Sequence, residues 1–569
     1  MRRLDWIVLA TTLLFIVLYG IWKGRGSRNI KGFLLADRSM KWYTVALAIM
    51  ATQASAITFT STPGQAYADG MRFVQFYFGL PIAMVILCIT AVPIFHKLGV
   101  YTAYEYLEKR FDAKTRVLTT LIFLVSRGIA AGITIYAPSL VLSVMLGMDI
   151  RITSIIIGGL VIIYTTSGGV KAVNYTDFFQ LIIVMAGMCI ALGVALHLLP
   201  NEISFTDALS VSAVMGKLNT VDFSFDFSNR YNVWSGIIGG MFVALAYFGT
   251  DQSQVQRYLT GESITQSRLA LLFNGLAKVP MQFFILFIGV MVFVFFQFVQ
   301  PPLIFNPVQA GKVKSGMRAQ DFRQLEEKHN NIFKRKSEEI RKYIQARHEH
   351  DDVRVAEKKE ELQSLQQRYD AVRTEASNLI AENDRKSDAG DTNYIFLSFV
   401  LTYLPVGLVG LIFACIFTAS MSSSSGELSA LATTSIIDVY KRFIKREASE
   451  KHYLIVSRIM MAFWGLYGIA FAQYAGRMGS LIEAVNILGS LFYGTMLGIF
   501  LLAFYFKQTK GTAAFVSALS GEIVVLYCFR FTSIAWLWYN VIGCFVVVGV
   551  GIILSAFEKS KTSGSLASL

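Results

Sequence analysis

Apolar runs of about 20 residues follow one another along most of this chain, and a helix of that length spans the hydrocarbon core of a bilayer. The pattern predicts an all-α polytopic membrane protein with about thirteen transmembrane helices. They fall near 4–22, 42–69, 74–95, 116–147, 151–166, 174–199, 231–255, 266–299, 394–436, 452–473, 479–505, 511–529 and 535–555. The first run is too long for a cleaved signal peptide, and a basic stretch follows it.

Composition supports a membrane protein. Of the 569 residues, 54% are hydrophobic and only 16% are charged, against about 25% charged in an average soluble protein. The net charge is +14, but residues 307–392 carry 18 basic and 17 acidic residues, so the excess lies in the short loops of the membrane part. Such a bias indicates topology and contact with anionic lipid rather than nucleic-acid binding.

The positive-inside rule gives an orientation. Basic residues crowd the loop after the first span, at Lys23, Arg25, Arg28, Lys31, Arg38 and Lys41. This loop is therefore predicted to be cytoplasmic, in a plasma (inner) membrane protein with its N-terminus outside and its C-terminus inside. Arg2 and Arg3 point weakly the other way, whereas the basic stretch 441–446 falls on the predicted inner side.

The segment 307–392 does not resemble a membrane span. Apolar residues recur with coiled-coil spacing at Leu362, Leu365, Tyr369, Val372, Ala376 and Leu379. Residues 348–354 are a plausible turn, so the segment is predicted to form an antiparallel helical hairpin outside the cytoplasm. Two interpretations stay open. The hairpin is either a solvated spacer or an arm that docks an extracytoplasmic partner or a second copy of the chain.

Polar residues interrupt two of the predicted spans. One interruption runs from Met50 to Gly64 and contains hydroxyls, an amide and a Pro-Gly pair, and the other runs from Tyr247 to Gln252. They occupy comparable places in two blocks of five spans, 42–199 and 231–505. Paired broken helices indicate the binding site of an inverted-repeat transporter, because unwound carbonyls can coordinate a cation. The alternative is two kinked helices whose serines only pack.

A serine-rich run, 418–426, lies in a later span. On a helix Ser422 and Ser425 share a face, and Ser423 is rotated by about 100° from Ser422 about the helix axis. Hydroxyl and carbonyl oxygens form a hard, uncharged shell that suits Na⁺. Serine also allows close helix packing, which is an equally good explanation of the run alone.

Five motifs in order give the chain a resemblance to a known family. They are GFLLADRS at 32–39, YTAYEYLEKRF at 101–111, YTTSGGVKAVNYTDFFQ at 164–180, DQSQVQRY at 251–258, and 419–423 followed by DVY at 438–440. Together they resemble the motifs of the sodium:solute symporter family over nearly the whole chain, apart from 307–392.

The resemblance implies a LeuT-type 5+5 inverted repeat. The implied organisation is an N-terminal extra helix and cytoplasmic loop at 1–41, the first repeat at 42–199 and an external loop at 200–230. The second repeat begins at 231–306, is interrupted by the hairpin at 307–392, and continues at 393–507. Two C-terminal helices and a tail follow at 508–569.

The resemblance also implies Na⁺ ligands. One Na⁺ would be held by carbonyls of Ala51, Ala54 and Ala419 and by hydroxyls of Ser422 and Ser423. Some members place a second Na⁺ near an aspartate equivalent to Asp177, with hydroxyls matching Ser422 and Ser425. Gly426 stands where a further serine is expected, which puts this second site in doubt. Asp177 could instead cap a helix that begins there.

Positional matches to sugar-binding members of the family imply a solute site at Gln53, Thr58, Tyr77, Tyr247, Lys278 and Asn486. A lysine inside an apolar span is costly, so Lys278 is either functional or extends to a nearby membrane surface. Tyr247 is either an aromatic gate or part of the core. The sugar transporters' acid is absent, whereas Ser55 and Thr58 match positions that bind a carboxylate in the sialic-acid branch. That branch's arginine is replaced by Ala130, with Arg127 one turn away.

The expected function is Na⁺-coupled import of a small organic solute by alternating access, with a carboxylated solute such as sialic acid or a monocarboxylate preferred. A Na⁺/sugar symporter is the alternative, and a transporter-like sensor is a remote one. No catalytic sequence motif occurs in the surroundings that it would require, so an enzyme is not expected. The expected partners are the solute, Na⁺ as the coupling ion, and the lipid bilayer, with no other cofactor and no nucleic acid.

Overall fold

The computed structural model describes residues 2–24, 35–383 and 391–566, and the side chains of 167–175 are among those it leaves out. Most of the basic loop at 25–34, the beginning of the motif at 32–39 and the middle of the motif at 164–180 therefore lie outside the described residues or side chains. In the described part, nine helical segments are long and apolar enough to cross a membrane. The total of about thirteen spans stays a prediction.

The helices of the first half surround the first predicted break. They are α1 (Arg3–Gly24), α2 (Trp42–Gln53), α3 (Ala56–Asp69), α4 (Leu80–Ile89), α5 (Ala91–Leu98), α6 (Tyr104–Arg110), α7 (Ala113–Leu146), α8 (Ile150–His197), α9 (Phe205–Val214), α10 (Gly240–Gly249), α11 (Gln252–Tyr258) and α12 (Ile264–Phe298).

The second half contains the hairpin and the serine-rich helix. Its helices are α13 (Pro307–Lys314), α14 (Ala319–His348), α15 (Asp352–Asn383), α16 (Thr392–Tyr403), α17 (Leu408–Thr434), α18 (Glu450–Ala475), α19 (Leu481–Tyr505), α20 (Gly511–Phe531) and α21 (Leu537–Leu566).

The first interrupted span is broken, as the sequence predicts. Helix α2 ends at Gln53 because Ala54, at φ −84° and ψ 57°, leaves the helical region, and extended Ser55 precedes α3. The break lies eight residues before the Pro-Gly pair, since Pro63 and Gly64 are both inside α3. That part of the expectation is wrong. Gly64 instead allows close packing, because a Cβ there would lie 1.9 Å from the Thr392 carbonyl oxygen of α16.

The second interrupted span is broken between α10 and α11. Thr250 leaves the helical region, and Asp251 caps α11 by accepting a hydrogen bond from the Ser253 amide at 2.9 Å. Two broken helices therefore occur at the predicted places. Each break leaves carbonyls without their helical donors inside the protein.

The helical segment α8 is not one straight rod. Residues 12 positions apart on a straight helix are about 18 Å apart along its axis. The hydroxyl oxygens of Tyr164 and Thr176, however, lie 3.5 Å apart. The chain therefore turns back between these residues and forms two arms, which correspond to the predicted spans 151–166 and 174–199. The second arm brings Asp177 against α17.

The serine-rich helix α17 forms the centre of the core, and nearly all of its residues are buried. Around it the helices approach closely at glycines. A Cβ at Gly289 of α12 would lie 2.1 Å from the Pro63 carbonyl oxygen of α3, and Gly64 of α3 meets α16. Helix α3 therefore contacts both neighbours through backbone atoms, which small residues allow.

The predicted hairpin is present as α14 and α15, which meet at a turn after His348. All six of its predicted heptad residues are buried. The hairpin also contains a buried lysine, Lys336. Its ammonium donates to the Gln366 side-chain oxygen at 2.9 Å and lies 3.8 Å from the centre of the Tyr369 ring.

The hairpin packs on its own chain. Arg341 pairs with Glu202, His348 lies 2.9 Å from the Asp207 carboxylate at the beginning of α9, and the Gln363 amide donates to the Val214 carbonyl at 3.2 Å. Arg373 pairs with Asp391, just before α16. The hairpin is thus held against its own chain, and both interpretations of its role stay predictions.

Replacing Lys336 by Met should stabilise the hairpin at neutral pH. Burial lowers the Lys336 pKa from 10.5 to about 7, with Asp370 opposing this effect and with Arg373 and Lys217 adding to it. Folding therefore disfavours the protonated form of Lys336. The stability of the hairpin consequently rises as the pH increases from about 7 to 10.5. We expect Lys336→Met to slow tryptic cleavage within 319–383 at pH 7 and to make the cleavage rate less dependent on pH. Each rate is divided by the rate at which trypsin cleaves a free peptide at the same pH.

The exposed neighbour Lys334 gives the matched control. Lys334→Met removes a cleavage site in the same way and should leave the pH dependence intact. Faster cleavage of Lys336→Met than of the original chain at pH 7 would show that the contacts of the ammonium outweigh the cost of its burial.

Candidate functional site

A cavity of about 130 Å³ lies between the two broken helices. All eight positions that the sequence indicates for a solute line it, namely Gln53, Ser55, Thr58, Tyr77, Arg127, Tyr247, Lys278 and Asn486. Ser423 of α17 lines it as well. Segments more than 400 residues apart in sequence thus come together around one space.

Lys278 lies on α12 and is only 2% exposed. Its ammonium lies 5.9 Å from the centre of the Tyr77 ring, and the described residues bring no acidic group to it. The side chain faces the cavity, so the interpretation that it extends to the membrane surface is wrong. An ammonium at this depth needs a counter-charge to stay protonated.

Arg127 differs from Lys278 because two acids compensate its charge. Its guanidinium pairs with Asp251 and lies 3.1 Å from a Glu427 oxygen. It also donates to the Tyr493 hydroxyl at 2.6 Å. The sequence analysis missed Glu427 and Tyr493. An acid in the apolar span of α17 was a signal for the first, whereas nothing in the sequence marks the second.

The remaining cavity residues are partly engaged with one another. The Tyr247 hydroxyl accepts from the Gln254 amide at 2.8 Å, and its ring lies 5.4 Å from the Arg127 guanidinium carbon. Gln53 donates to the Asn274 side chain at 3.1 Å, and Asn486 donates to the carbonyl one turn earlier. Tyr247 therefore both packs and lines the cavity, so its two interpretations are compatible.

The residues predicted for the first Na⁺ lie where the break in α2 meets α17. The Ser423 hydroxyl donates to the carbonyl oxygens of Thr52, at 3.2 Å, and of Ala419, at 3.0 Å. The last helical hydrogen bond of α2 runs from the Ala54 amide to Met50, so the Ala51 carbonyl lacks its helical donor. Ala51, Ala54 and Ala419 are all buried.

Ser422 points to a different neighbour. Its hydroxyl donates to Asp177, and the second oxygen of that carboxylate lies 3.5 Å from the Arg257 guanidinium. The alternative that Asp177 caps a helix stays a prediction, because the second arm of α8 begins close to this residue. Arg257 reaches this position because residue 426 is glycine, where a Cβ would lie 2.6 Å from an Arg257 nitrogen. Ser425, the residue before Gly426, is also buried.

The model of the sodium:solute symporter family matches residues 33–318 and 380–521, so it leaves most of the hairpin unmatched. Sodium-coupled monocarboxylate transporter 1 of Xenopus laevis is 27% identical over 526 residues, which cover 92% of this chain and 71% of that protein. The human sodium/iodide cotransporter is 32% identical over 305 residues, 53% of this chain and 47% of that protein.

Two further similarities extend over almost the whole chain. The sodium/sialic acid symporter NanT of Aliivibrio fischeri is 25% identical over 571 residues, 98% of this chain and 94% of that protein. Among solved structures, a Na⁺-coupled sialic acid symporter in a substrate-bound outward-open state aligns with a TM-score of 0.74 at 22% identity, covering 98% of both chains. This similarity supports the predicted LeuT-type architecture.

Replacing Gly426 by Ala should separate Arg257 from Asp177. The added methyl group would lie 2.6 Å from the guanidinium, and moving the arginine leaves a buried carboxylate with less compensation. We expect a loss of roughly 1–2 kcal/mol, since overpacking and lost pairing exceed the helix-propensity gain of about 1 kcal/mol. Thermal unfolding of the purified protein measures the change.

Gly159→Ala is the matched control, because a Cβ at that helical position meets nothing within 4 Å. It should leave the unfolding temperature unchanged or raise it. Equal behaviour of the two variants would contradict the tight fit of Arg257 against residue 426.

Proposed function

Because the chain belongs to the sodium:solute symporter family, we propose that its central cavity binds a small carboxylated solute and that Na⁺ bound beside this cavity drives the solute's import. Na⁺-coupled solute symport follows from the family. The family leaves the solute open, and the charges around the cavity support a carboxylate.

The observation that carries this proposal is the uncompensated Lys278. The other cation of the cavity, Arg127, already faces Asp251 and Glu427. Lys278 has no acidic partner among the described residues, and its ammonium lies 5.9 Å from the centre of the Tyr77 ring. A solute carboxylate supplies the missing charge, and the pair gains strength from the low dielectric. A neutral sugar would leave the lysine without a counter-charge.

The size of the cavity favours a short monocarboxylate over sialic acid. Its 130 Å³ is below the range of about 300–1,000 Å³ that is common for sites of drug-sized ligands. The relatives named above include transporters of both kinds. Ser55, at the break after α2, and Thr58, in the first turn of α3, also line the cavity, and their hydroxyls can orient a polar group of the solute.

The coupling ion binds at the junction of the first break with α17. The carbonyls of Ala51, Ala54 and Ala419 and the hydroxyl of Ser423 are its oxygen ligands. The Ser422 hydroxyl completes the set, since it donates its proton to Asp177 and keeps its oxygen lone pairs for the ion. Ser423 belongs to both the ion site and the cavity lining. Na⁺ at this junction ties α2 to α17 and fixes the wall against which the solute binds.

No second Na⁺ is needed at Asp177. Arg257 stands 3.5 Å from this carboxylate and occupies the space that Gly426 leaves open. The guanidinium supplies the positive charge that a second ion would otherwise bring. Ser425 then has a packing role, and one Na⁺ is coupled to each solute.

Transport follows the alternating-access scheme. Na⁺ and solute together close the site between the broken helices, one group of helices rocks against the other, and the site opens to the opposite side. Each Na⁺ that enters contributes about 2.3 kcal/mol per 100 mV of membrane potential in addition to its concentration gradient.

The orientation is that of an importer in the plasma (inner) membrane. Four basic residues lie at the end of the helical segment Ser435–Ile444 and in the short loop after it, namely Lys441, Arg442, Lys445 and Arg446. The positive-inside rule assigns this region to the cytoplasmic side. By the parity of the predicted spans, the hairpin lies on the other side of the membrane, outside the cytoplasm. With about thirteen spans, the proposed orientation has the N-terminus outside and the C-terminus inside.

Lys278→Gln should raise the KM for a carboxylated solute by about 10- to 100-fold, because roughly 1.4–2.8 kcal/mol of charge pairing is lost. Na⁺-dependent uptake of lactate and of neutral lactamide into proteoliposomes measures the effect. Lys278→Arg keeps the charge and should keep the preference for lactate. Unchanged lactate uptake by Lys278→Gln would exclude the lysine as the carboxylate partner.

Ser423→Ala should raise the Na⁺ concentration needed for half-maximal uptake by at least 10-fold, because an ion ligand is lost. The solute KM at saturating Na⁺ should change much less. Ser429→Ala is the matched control, since Ser429 is a buried residue of the same helix outside the proposed ion site. The same Na⁺ dependence in both variants would contradict the site.

A further inference from the structure

Large apolar side chains are exposed in the loop that follows α9. Phe223, Phe225 and Phe227 are 75%, 61% and 49% exposed, and Trp234 at the end of the loop is 42% exposed. A surface patch of this kind marks contact with a membrane or with another protein. We call residues 222–234 the aromatic loop.

The aromatic loop lies where two neighbouring apolar helices begin. One is the helical segment Ser235–Gly249, which follows the loop directly, and the other is Leu537–Phe557 in α21. They begin side by side, since a Cβ at Gly239 would lie 2.9 Å from a carbonyl oxygen of α21. The Ala535 amide, just before α21, donates to the Phe227 carbonyl at 2.8 Å. The loop is therefore at the level where both helices enter the bilayer.

The aromatic surface continues from the loop onto the sides of these helices. The ring of Phe227 packs on Trp538 of α21, with 5.0 Å between the ring centres. Phe545, seven residues further along and so on the same face of α21, is 63% exposed. Its ring lies 5.6 Å from that of Phe242 in α10. Exposed apolar side chains within a membrane span contact acyl chains, so the loop extends a surface that faces lipid.

Polar groups of the aromatic loop bond within the protein. Four of its carbonyls accept hydrogen bonds from other groups of the chain, namely those of Asp222, Phe223, Asp226 and Phe227. The two carboxylates also accept from backbone amides two residues further on, at 2.9 Å for Asp222 and 2.8 Å for Asp226. A segment in apolar surroundings must satisfy its backbone internally, whereas a loop in water can bond to the solvent. This bonding therefore favours lipid over water around the loop.

The charge of the aromatic loop gives no preference for anionic lipid. The loop contains two acids and one basic residue, so its net charge is −1. The basic residue, Arg230, pairs with Glu483 at 2.9 Å. Anionic headgroups attract clusters of Lys and Arg, which are missing here. Apolar contact with neutral lipid is thus the interaction that the loop can make.

We propose that the aromatic loop inserts into the adjacent bilayer leaflet, with Phe223 and Phe225 at the boundary between the headgroups and the acyl chains. Aromatic side chains favour this depth of a membrane. The loop is therefore an anchor for neutral lipid, although its position between two spans would otherwise assign it to water. This inference does not rest on the proposed solute or on the Na⁺ site.

The anchor is bonded to the wall of the central cavity through Gln75, which is buried. The side-chain oxygen of Gln75 accepts from the Asp222 amide at 3.0 Å, and its side-chain nitrogen donates to the Tyr231 carbonyl at 3.0 Å. Tyr77, at the end of the same helical segment, lines the cavity. Insertion of the loop thus holds this segment in place relative to the bilayer.

Photo-cross-linking of the full-length protein in phosphatidylcholine vesicles tests the proposal. Phe225 is replaced by p-benzoylphenylalanine, which keeps an aromatic ring and bonds to a nearby C–H group under ultraviolet light. Mass spectrometry then identifies the products. We expect adducts with lipid acyl chains.

The same replacement at Phe545 and at Lys334 gives the matched controls. Phe545 is exposed within a span, so its lipid adduct sets the yield for direct contact with acyl chains. Lys334 is exposed on the hairpin and should give no lipid adduct. The absence of a lipid adduct at Phe225, or a cross-link to a second copy or to another protein in its place, would overturn the proposal.

Two further measurements test the anchor as a unit and its preference for neutral lipid. Combining Phe223→Ser with Phe227→Ser should lower the yield of lipid adduct at Phe225, and an unchanged yield would show that the three rings do not act together. Replacing half of the phosphatidylcholine by phosphatidylglycerol should leave the yield at Phe225 unchanged, because the loop has no net positive charge. A lipid adduct that forms only with phosphatidylglycerol would overturn the assignment to neutral lipid.

Discussion

Polar groups inside a membrane protein must find partners within the protein, and this constraint shapes the centre of the fold. A continuous helix satisfies its own backbone. Here α2 and α10 both end inside the molecule, so carbonyls and amides near Ala54 and Thr250 lose their helical partners. Some of these groups are satisfied by side chains, as when Ser423 donates to Thr52 and when Asp251 caps α11. Others stay available for an ion or a solute.

Buried charges follow the same rule. Arg127 is balanced by Asp251 and Glu427, and Asp177 faces Arg257. These pairs join α7, α8 and α17 to the segment after the second break, so breaking one of them would leave an uncompensated charge in the core. Unlike these five groups, Lys278 has no charged partner among the described residues. The carboxylate of the proposed solute supplies the counter-charge that the described residues do not provide for Lys278.

Local patterns predicted what depends on neighbours in sequence. The break near Ala54, the break near Asp251, the turn after His348 and the buried heptad residues of α15 are present as predicted. The eight positions matched to family members also line the central cavity, although Glu427 and Tyr493 of its lining were missed. Pro63 was misleading because a proline inside a helix is tolerated where neighbouring helices pack closely around it.

Contacts between distant segments could not be predicted. Arg127 meets Glu427 across 300 positions, and Arg257 reaches Asp177 only because residue 426 has no side chain. The sequence gives each residue type but not the pairing, so the compensation of Arg127 was missed. The packing of the hairpin on α9 and α16 was missed for the same reason.

The glycine contacts of α3 have a consequence for how the carrier moves. At Gly64 and Gly289 the helix meets its neighbours backbone to backbone, without interlocking side chains. Interlocked side chains resist sliding because each must change rotamer before the next ridge can pass. Contacts of this kind let α3 shift against α12 and α16 with a low energy barrier. A bulky residue at either glycine would hold the transporter in a single conformation.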